Sequence, residues 1–227
     1  GASNDHIGGA VPVNVGPSGL FTLAGAATTE SIPGVTTLQR WMNGAGIIDT
    51  TATRALNLAN SVNVSNLGYS DGATPTAQIM GRLDTLATTR SFGVADSLTL
   101  DPAEDLVISA VITSTTTAGG FTKDGYGTAA LTAANTYQGT TSVNAGTQVD
   151  GLLTRVGGTL VARNAGVLGT NNALVNEGAT LTLNNSAANV NRIADAATLD
   201  LRGVLNLIGN SAGTTEFVGA TTVNVVN

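Results

Sequence analysis

The chain contains no cysteine, one histidine and one lysine, and of its 227 residues only 11% are charged and 4% aromatic. A typical soluble domain carries about 25% charged residues. Each deficit excludes something. Without cysteine there is no disulfide, thiol nucleophile or thiolate metal site. With nine Lys and Arg against fifteen Asp and Glu, and a net charge of −6, the chain lacks the clustered cations that neutralise nucleic-acid phosphates, so no nucleic-acid partner is expected. No apolar run approaches the ~18 residues of a membrane-spanning helix, so no transmembrane segment is expected either. The first residues, Gly1 to His6, show no basic stretch followed by an apolar one, so an export signal has been removed or was never included.

What the chain has instead is 29 glycines, 35 threonines and a mean hydropathy of +0.20, with 42% of residues hydrophobic. Low charge with that many aliphatic side chains argues against disorder, because the chain can bury enough apolar surface to offset the entropy of ordering. Short alternations recur at Ser97 to Leu100, Thr159 to Val161, Ala179 to Leu183, Ala197 to Leu201 and Thr222 to Val225. In each, an aliphatic residue alternates with a β-branched or polar one, as in a half-buried strand. Turn clusters separate them: Asn164-Ala165-Gly166, Asn184-Asn185-Ser186 and Gly209-Asn210-Ser211.

The recurrence from Thr159 to Thr180 to Thr198 is about 20 residues, the size of one coil of a parallel β-solenoid. At that period the chain would make roughly 11 coils and a rod of roughly 50 Å. Stacking accounts for the composition: inward ladders of Val, Leu, Ile, Ala and Thr leave little room for rings, and like charges on successive rungs would repel. The expectation is therefore an all-β, parallel β-helix over 36–227, preceded by an irregular leader, terminal cap or donor segment over 1–35. Ile79, Leu83 and Leu86 have helical spacing, but Gly81, Thr85, Thr88 and Thr89 are poor helix formers, so strand is expected over 81–95. Trp41 and Met42, beside Asn43-Gly44, are expected to plug an end or corner of the core.

One stretch resembles a known sequence pattern. Gly119-Gly120-Phe121-Thr122-Lys123-Asp124-Gly125-Tyr126-Gly127-Thr128, then Leu131-Thr132, then Asn135-Thr136-Tyr137-Gln138-Gly139-Thr140-Thr141-Ser142-Val143-Asn144-Ala145-Gly146-Thr147, is similar to the autotransporter-associated β-strand repeat of bacterial surface proteins. It departs from that pattern at Ala129 and Gln148, where Leu is preferred, and at Ala133, where Gly is. Arg90 to Val94 and Asp105 to Ile112 resemble the coil before such a repeat, and Gly166 to Thr170 and Thr215 to Gly219 the coils after it. The resemblance implies a right-handed parallel β-helix, export to the cell surface and a longer parent protein. The translocating C-terminal barrel usual in that family is not among these residues. Within the pattern, Gly125, Gly127, Gly139 and Gly146 permit tight turns, Asn135 can bond neighbouring backbone groups and Tyr137 can pack over a coil edge. Gly120, Thr122, Lys123, Thr128, Thr136, Thr141, Val143 and Thr147 complete the structural signature, and none of these residues reads as catalytic.

Chemistry is sparse elsewhere. A hydrolase triad needs a base near its nucleophile, and the only histidine, His6, falls in the leader, where an exposed terminal histidine is the simpler account. There is no G-x-S-x-G, phosphate-binding loop, H-E-x-x-H, EF-hand or calcium-binding nonapeptide. A β-helical carbohydrate-active enzyme would need paired carboxylates or an acidic calcium site beside a cation. The candidates are Asp195 and Asp200 near Arg192 and Arg202, and a calcium-binding turn of Asp101, Glu104 and Asp105. Solvated corners with local ion pairs are the simpler account of both. Tyr69, Tyr126, Tyr137 and Trp41 are too scattered to make a sugar-stacking platform, so packing is expected of each.

No cofactor is expected. The leading expectation is a non-catalytic extracellular structural protein whose subunits associate end to end, because solenoid ends expose strand edges and the segment Thr221 to Asn227 carries no charge or proline. The alternatives are an adhesin or autotransporter passenger fragment that binds host, cell-envelope or surface glycans, and a carbohydrate-active enzyme.

Overall fold

The computed structural model describes residues 7, 9–23, 29–41, 44–51, 53–67, 75–96, 104–150 and 153–223. Their regular structure is all strand, without a helix, and almost all of the pairing is parallel. Strands two to six residues long follow one another around a core and recur on the same faces coil after coil. The first face runs from Val13–Val15 through Thr36–Trp41, Val62–Asn66, Arg90–Val94, Phe121–Asp124, Thr141–Val143, Ala173–Val175 and Thr198–Leu201 to Ala220–Val223. The second runs from Leu20–Thr22 to Val204–Ile208 in eight strands. The third has four: Thr29–Ile32, Ala55–Leu58, Arg82–Asp84 and Val111–Thr113. Beyond them that side continues as turns, tied by a single bridge between Ala134 and Val167. The architecture is a parallel β-solenoid.

Register makes the core a set of ladders. On the second face Phe21, Ile48, Ile79, Ile108, Leu131, Ala162, Leu183 and Leu207 pair in succession. Every one from Ile48 to Leu183 is buried, because a rung is covered by the coils above and below it. The first face carries Thr36, Val62, Phe92, Lys123, Val143, Val175 and Leu201 in the same way. The core's rings are few and touch: Phe92 stacks on Phe121 with centroids 4.7 Å apart, and Tyr137 lies 6.2 Å beyond Phe121.

Three expectations need correction. The leader expected over 1–35 is part of the solenoid from Val13 onward, since Val13, Leu20 and Thr29 pair with Thr36, Ile47 and Ala55. Strands of three or four residues carry too little pattern to be seen alone, and the coil above supplies their hydrogen bonds. The coils are also longer than 20 residues in most places. Steps along the first face are 23, 26, 30 and 31 residues from Val13 to Thr36, Val62, Phe92 and Lys123, and only then 20 to Val143. The next step, 32 residues to Val175, includes an antiparallel hairpin, Gly146–Asp150 with Leu153–Gly157. Nine levels thus replace eleven, a stack of ~38 Å at 4.8 Å per step. Finally, Thr159 does pair with Thr180, but Thr180 pairs with Val204, while Thr198 lies on the first face and pairs with Ala220.

Strand over 81–95 is found as Arg82–Asp84 and Arg90–Val94, with a corner between them where Leu86 takes φ +60°. Trp41 does not plug the core. Arg40 takes the inward position of its strand, so alternation turns Trp41 outward, where it is half exposed. Met42 and Asn43, like Ser97 to Leu100, lie outside the described residues.

Candidate functional site at the repeat corner

The residues singled out between 119 and 147 are one coil and the corners it turns. Phe121, Lys123, Tyr137, Thr141 and Val143 point inward and are buried, and Thr122 faces out. Gly125 takes φ +85° at a corner, and a Cβ at Gly146 would lie 2.3 Å from its carbonyl carbon, so the two corners stack backbone on backbone. At Gly139 a Cβ would lie 2.6 Å from the Gly119 carbonyl carbon, at Gly120 2.5 Å from the Thr140 oxygen, and at Gly127 2.7 Å from Asp105 Oδ2.

Asn135 works as read from sequence and spans three coils: Oδ1 accepts from the Ile112 N–H at 2.9 Å and Nδ2 donates to the Val167 carbonyl at 2.8 Å. The Thr136 N–H donates to the Ile112 carbonyl. Tyr137 is not at an edge but fully buried; its hydroxyl lies 2.6 Å from Thr141 Oγ1, and burial pushes its pKa up to about 12.

Beneath the corner lies a buried ionic layer. Arg40, fully buried, places Nη2 2.6 Å from Asp105 Oδ1, out of line for a hydrogen bond. It also donates to Asn66 Oδ1 and to the Ala95 and Asp105 carbonyls. Asp105 Oδ2 accepts from the Thr128 N–H at 2.6 Å. Burial raises the Asp105 pKa, and Arg40 and that N–H oppose the rise. Lys123 donates to the Gly125 carbonyl; desolvation lowers its pKa to about 8 against the pull of Asp105, Asp124 and Asp96. Outside the sheet, Asp124 accepts from Ser91 and, at 2.6 Å, from Asn144, whose Oδ1 accepts from Asn176. This polar ladder crosses four coils.

The outer surface here forms an open groove of about 440 Å³. It runs between the first face and the hairpin arm, with Asn63, Ser65, Gly93, Asp96, Tyr126 and Gln148 among its lining. Among the described residues no lysine, arginine or histidine lines it. Gln148 Oε1 is buried with no hydrogen-bond partner among the described residues.

The other candidates are dispersed. Glu104 is held by both oxygens to Arg163 at 2.6 Å, while Asp105 faces Arg40, so the two do not share a site. Asp101, with His6 and Tyr69, lies outside the described residues, among which no group of three or more potential ligands could hold a metal. Asp200 pairs with Arg202 at 2.6 Å in a part-exposed corner, and Asp195 accepts from Asn191. Arg192 is no solvated corner. It is fully buried, donating to the carbonyls of Gly166, Asn164, Asn184 and Ala188, while the Glu216 carboxylate accepts from the N–H groups of Arg192 and Ile193. Arg40 and the inward-facing Glu30 are buried charges that no local sequence pattern marks, and Arg192, expected at a solvated corner, is buried as well.

Residues 121–147 match the family model described as the passenger-associated-transport-repeat. No curated protein and no solved structure matches the chain.

Proposed function

From the premise that this chain carries a passenger-associated-transport repeat at residues 121–147, we propose that it is a non-catalytic β-solenoid of an exported bacterial surface protein, whose copies stack end to end. Support for the non-catalytic reading comes from four carboxylates with structural employment: Glu104 holds Arg163, Asp105 holds Arg40 and Thr128, Asp124 holds Ser91 and Asn144, and Glu216 holds the backbone at Arg192. A carboxylate locked in this way is a poor general acid or base. Among the described residues no helix is long and apolar enough to cross a membrane.

The observation that carries end-to-end stacking is the pair of open edges of the second face. At one, Leu207 is an inward-register rung that is 49% exposed, with Val204 and Ile208 exposed in the same strand. At the other, Leu20 is 62% exposed and Phe21 is the first rung of the same ladder. Among the described residues neither edge strand has an outer partner, so one copy's Leu20–Thr22 can continue its neighbour's Val204–Ile208. Such a head-to-tail contact is heterologous and propagates. Sedimentation velocity across a concentration series tests it: the chain is expected to form a ladder of oligomers that Leu207→Glu collapses to monomer, and a monomer at every concentration contradicts the reading.

A further inference from the structure

Gly93 sits mid-strand on the outer side of the first face, in register between Asn63 and Asp124. Nothing in its backbone requires glycine. It is not among the residues with positive φ, and a Cβ there would meet only the tip of the Asn63 side chain, at 2.8 Å from Oδ1. Gly120, Gly125, Gly139 and Gly146, by contrast, face backbone within 2.6 Å. A strand glycine without a backbone reason marks a place that something else must approach. What its missing side chain opens is the groove between the first face and the hairpin arm.

The lining says what approaches. Gln148 Oε1 is a buried acceptor with no partner among the described residues, a costly state that a donor would relieve. The Asp96 carboxylate accepts no hydrogen bond from a described residue, although its backbone carbonyl takes one from Asn66 Nδ2 at 2.7 Å, which fixes the corner beneath. The Tyr126 hydroxyl is likewise without a partner among the described residues, and its ring is held in place by the backbone of Gly157, where a Cβ would lie 3.0 Å from Cε2. Asn63, Ser65 and Thr147 add amide and hydroxyl groups along the same walls. The described set is rich in acceptors, includes a ring, and contains no Lys, Arg or His. It suits a ligand that donates several hydrogen bonds and carries no negative charge.

We propose that this groove binds a neutral saccharide chain, with Asp96 accepting from sugar hydroxyls, Gln148 turning its buried amide oxygen toward them and Tyr126 packing against a ring face. Sulfated and uronic-acid glycans are disfavoured, because the Asp96 carboxylate would face their charge and no Lys, Arg or His is among the described residues that line the groove. Gly93 is the floor that admits the sugar. The site lies on the flank of the solenoid and stands independently of end-to-end stacking.

Calorimetric titration of the full chain tests this, with gluco-, manno- and N-acetylglucosamine hexasaccharides as neutral probes and heparin and polygalacturonate hexasaccharides as anionic ones. The expected result is binding of at least one neutral probe with a millimolar or tighter Kd, about the scale of a modest small-ligand site. Asp96→Ala and Gln148→Ala each weaken it tenfold or more, and Gly93→Gln abolishes it, while the thermal melts of all three variants match that of the parent chain. The proposal is overturned by no binding of any neutral probe, by preference for the anionic probes, or by neutral binding that survives Gly93→Gln in a folded protein.

Discussion

Phe92 and Lys123 are successive rungs of one inward ladder, with Val62 before them and Val143 after. The chain's only lysine therefore stands inside the core, fully buried, in a row otherwise made of aliphatic, threonine and phenylalanine side chains. It is tolerated because its ammonium reaches the Gly125 carbonyl and shares the charge of Asp105 with Arg40.

Buried charges of this kind contribute little net stability but are costly to break. Lys123→Met keeps the rung's volume and leaves Arg40 with Asp105, so its urea midpoint is expected to equal or exceed that of the parent. Asp105→Ala strands two buried cations and the Thr128 N–H, and is expected to cost about 3 kcal/mol in the same titration. Equal loss in both variants would show that Lys123 and Asp105 act only as a pair.

Alkaline stability has a definite sign. The folded pKa of Lys123, about 8, lies below its ordinary 10.5, so between those values the unfolded chain binds more protons and stability rises with pH. Tyr137 acts oppositely: its folded pKa of about 12 exceeds 10, so the stability from its burial is present below pH 10 and is lost toward pH 12. Denaturation midpoints should therefore climb from pH 8 to 10 and then flatten or fall. Lys123→Met should lack the climb and Tyr137→Phe the later fall.

Glycines separate into two groups by what surrounds them. Gly139→Ala and Gly146→Ala push a methyl group into backbone and are expected to lower stability by several kcal/mol, in the range of severe overpacking. Gly93→Ala meets only a movable side chain and should change stability by less than about 1 kcal/mol. Thermal melts of the three variants make the comparison.

Arg192 holds the later coils together by filling four carbonyl groups from one buried side chain. Arg192→Met leaves those acceptors and the Glu216 carboxylate without it. Hydrogen exchange should speed up over 164–218 and stay unchanged over 36–94; uniform change along the rod would mean that the coils unfold as one unit.

Much of the fold was legible because ladder positions carry a period-2 code. Thr159 to Arg163 and Thr180 to Asn184 share length and pattern, and they do pair. The repeat at 119–147 was legible for a second reason: its glycines and Asn135 perform backbone chemistry that few other residues can. Coil length was not legible, since corners and the hairpin at 146–157 add residues without altering the rungs. Nor were the buried charges. Arg40 occupies a strand position that alternation marks only as inward, and its partner Asp105 is 65 residues away, joined to it by coil stacking alone. The groove escaped notice for the same reason, because Asn63, Asp96, Tyr126 and Gln148 come from different coils and the hairpin arm.

In the proposed assembly, the ladder that ends at Leu207 is continued by the Leu20 edge of a second copy. Cryo-electron microscopy of the native assembly tests it most directly. The prediction is a continuous rod in which the ~4.8 Å strand spacing runs unbroken through each junction, with Val204–Ile208 of one copy beside Leu20–Thr22 of the next. Separate rods of about nine levels, or copies joined along their flanks, would contradict it.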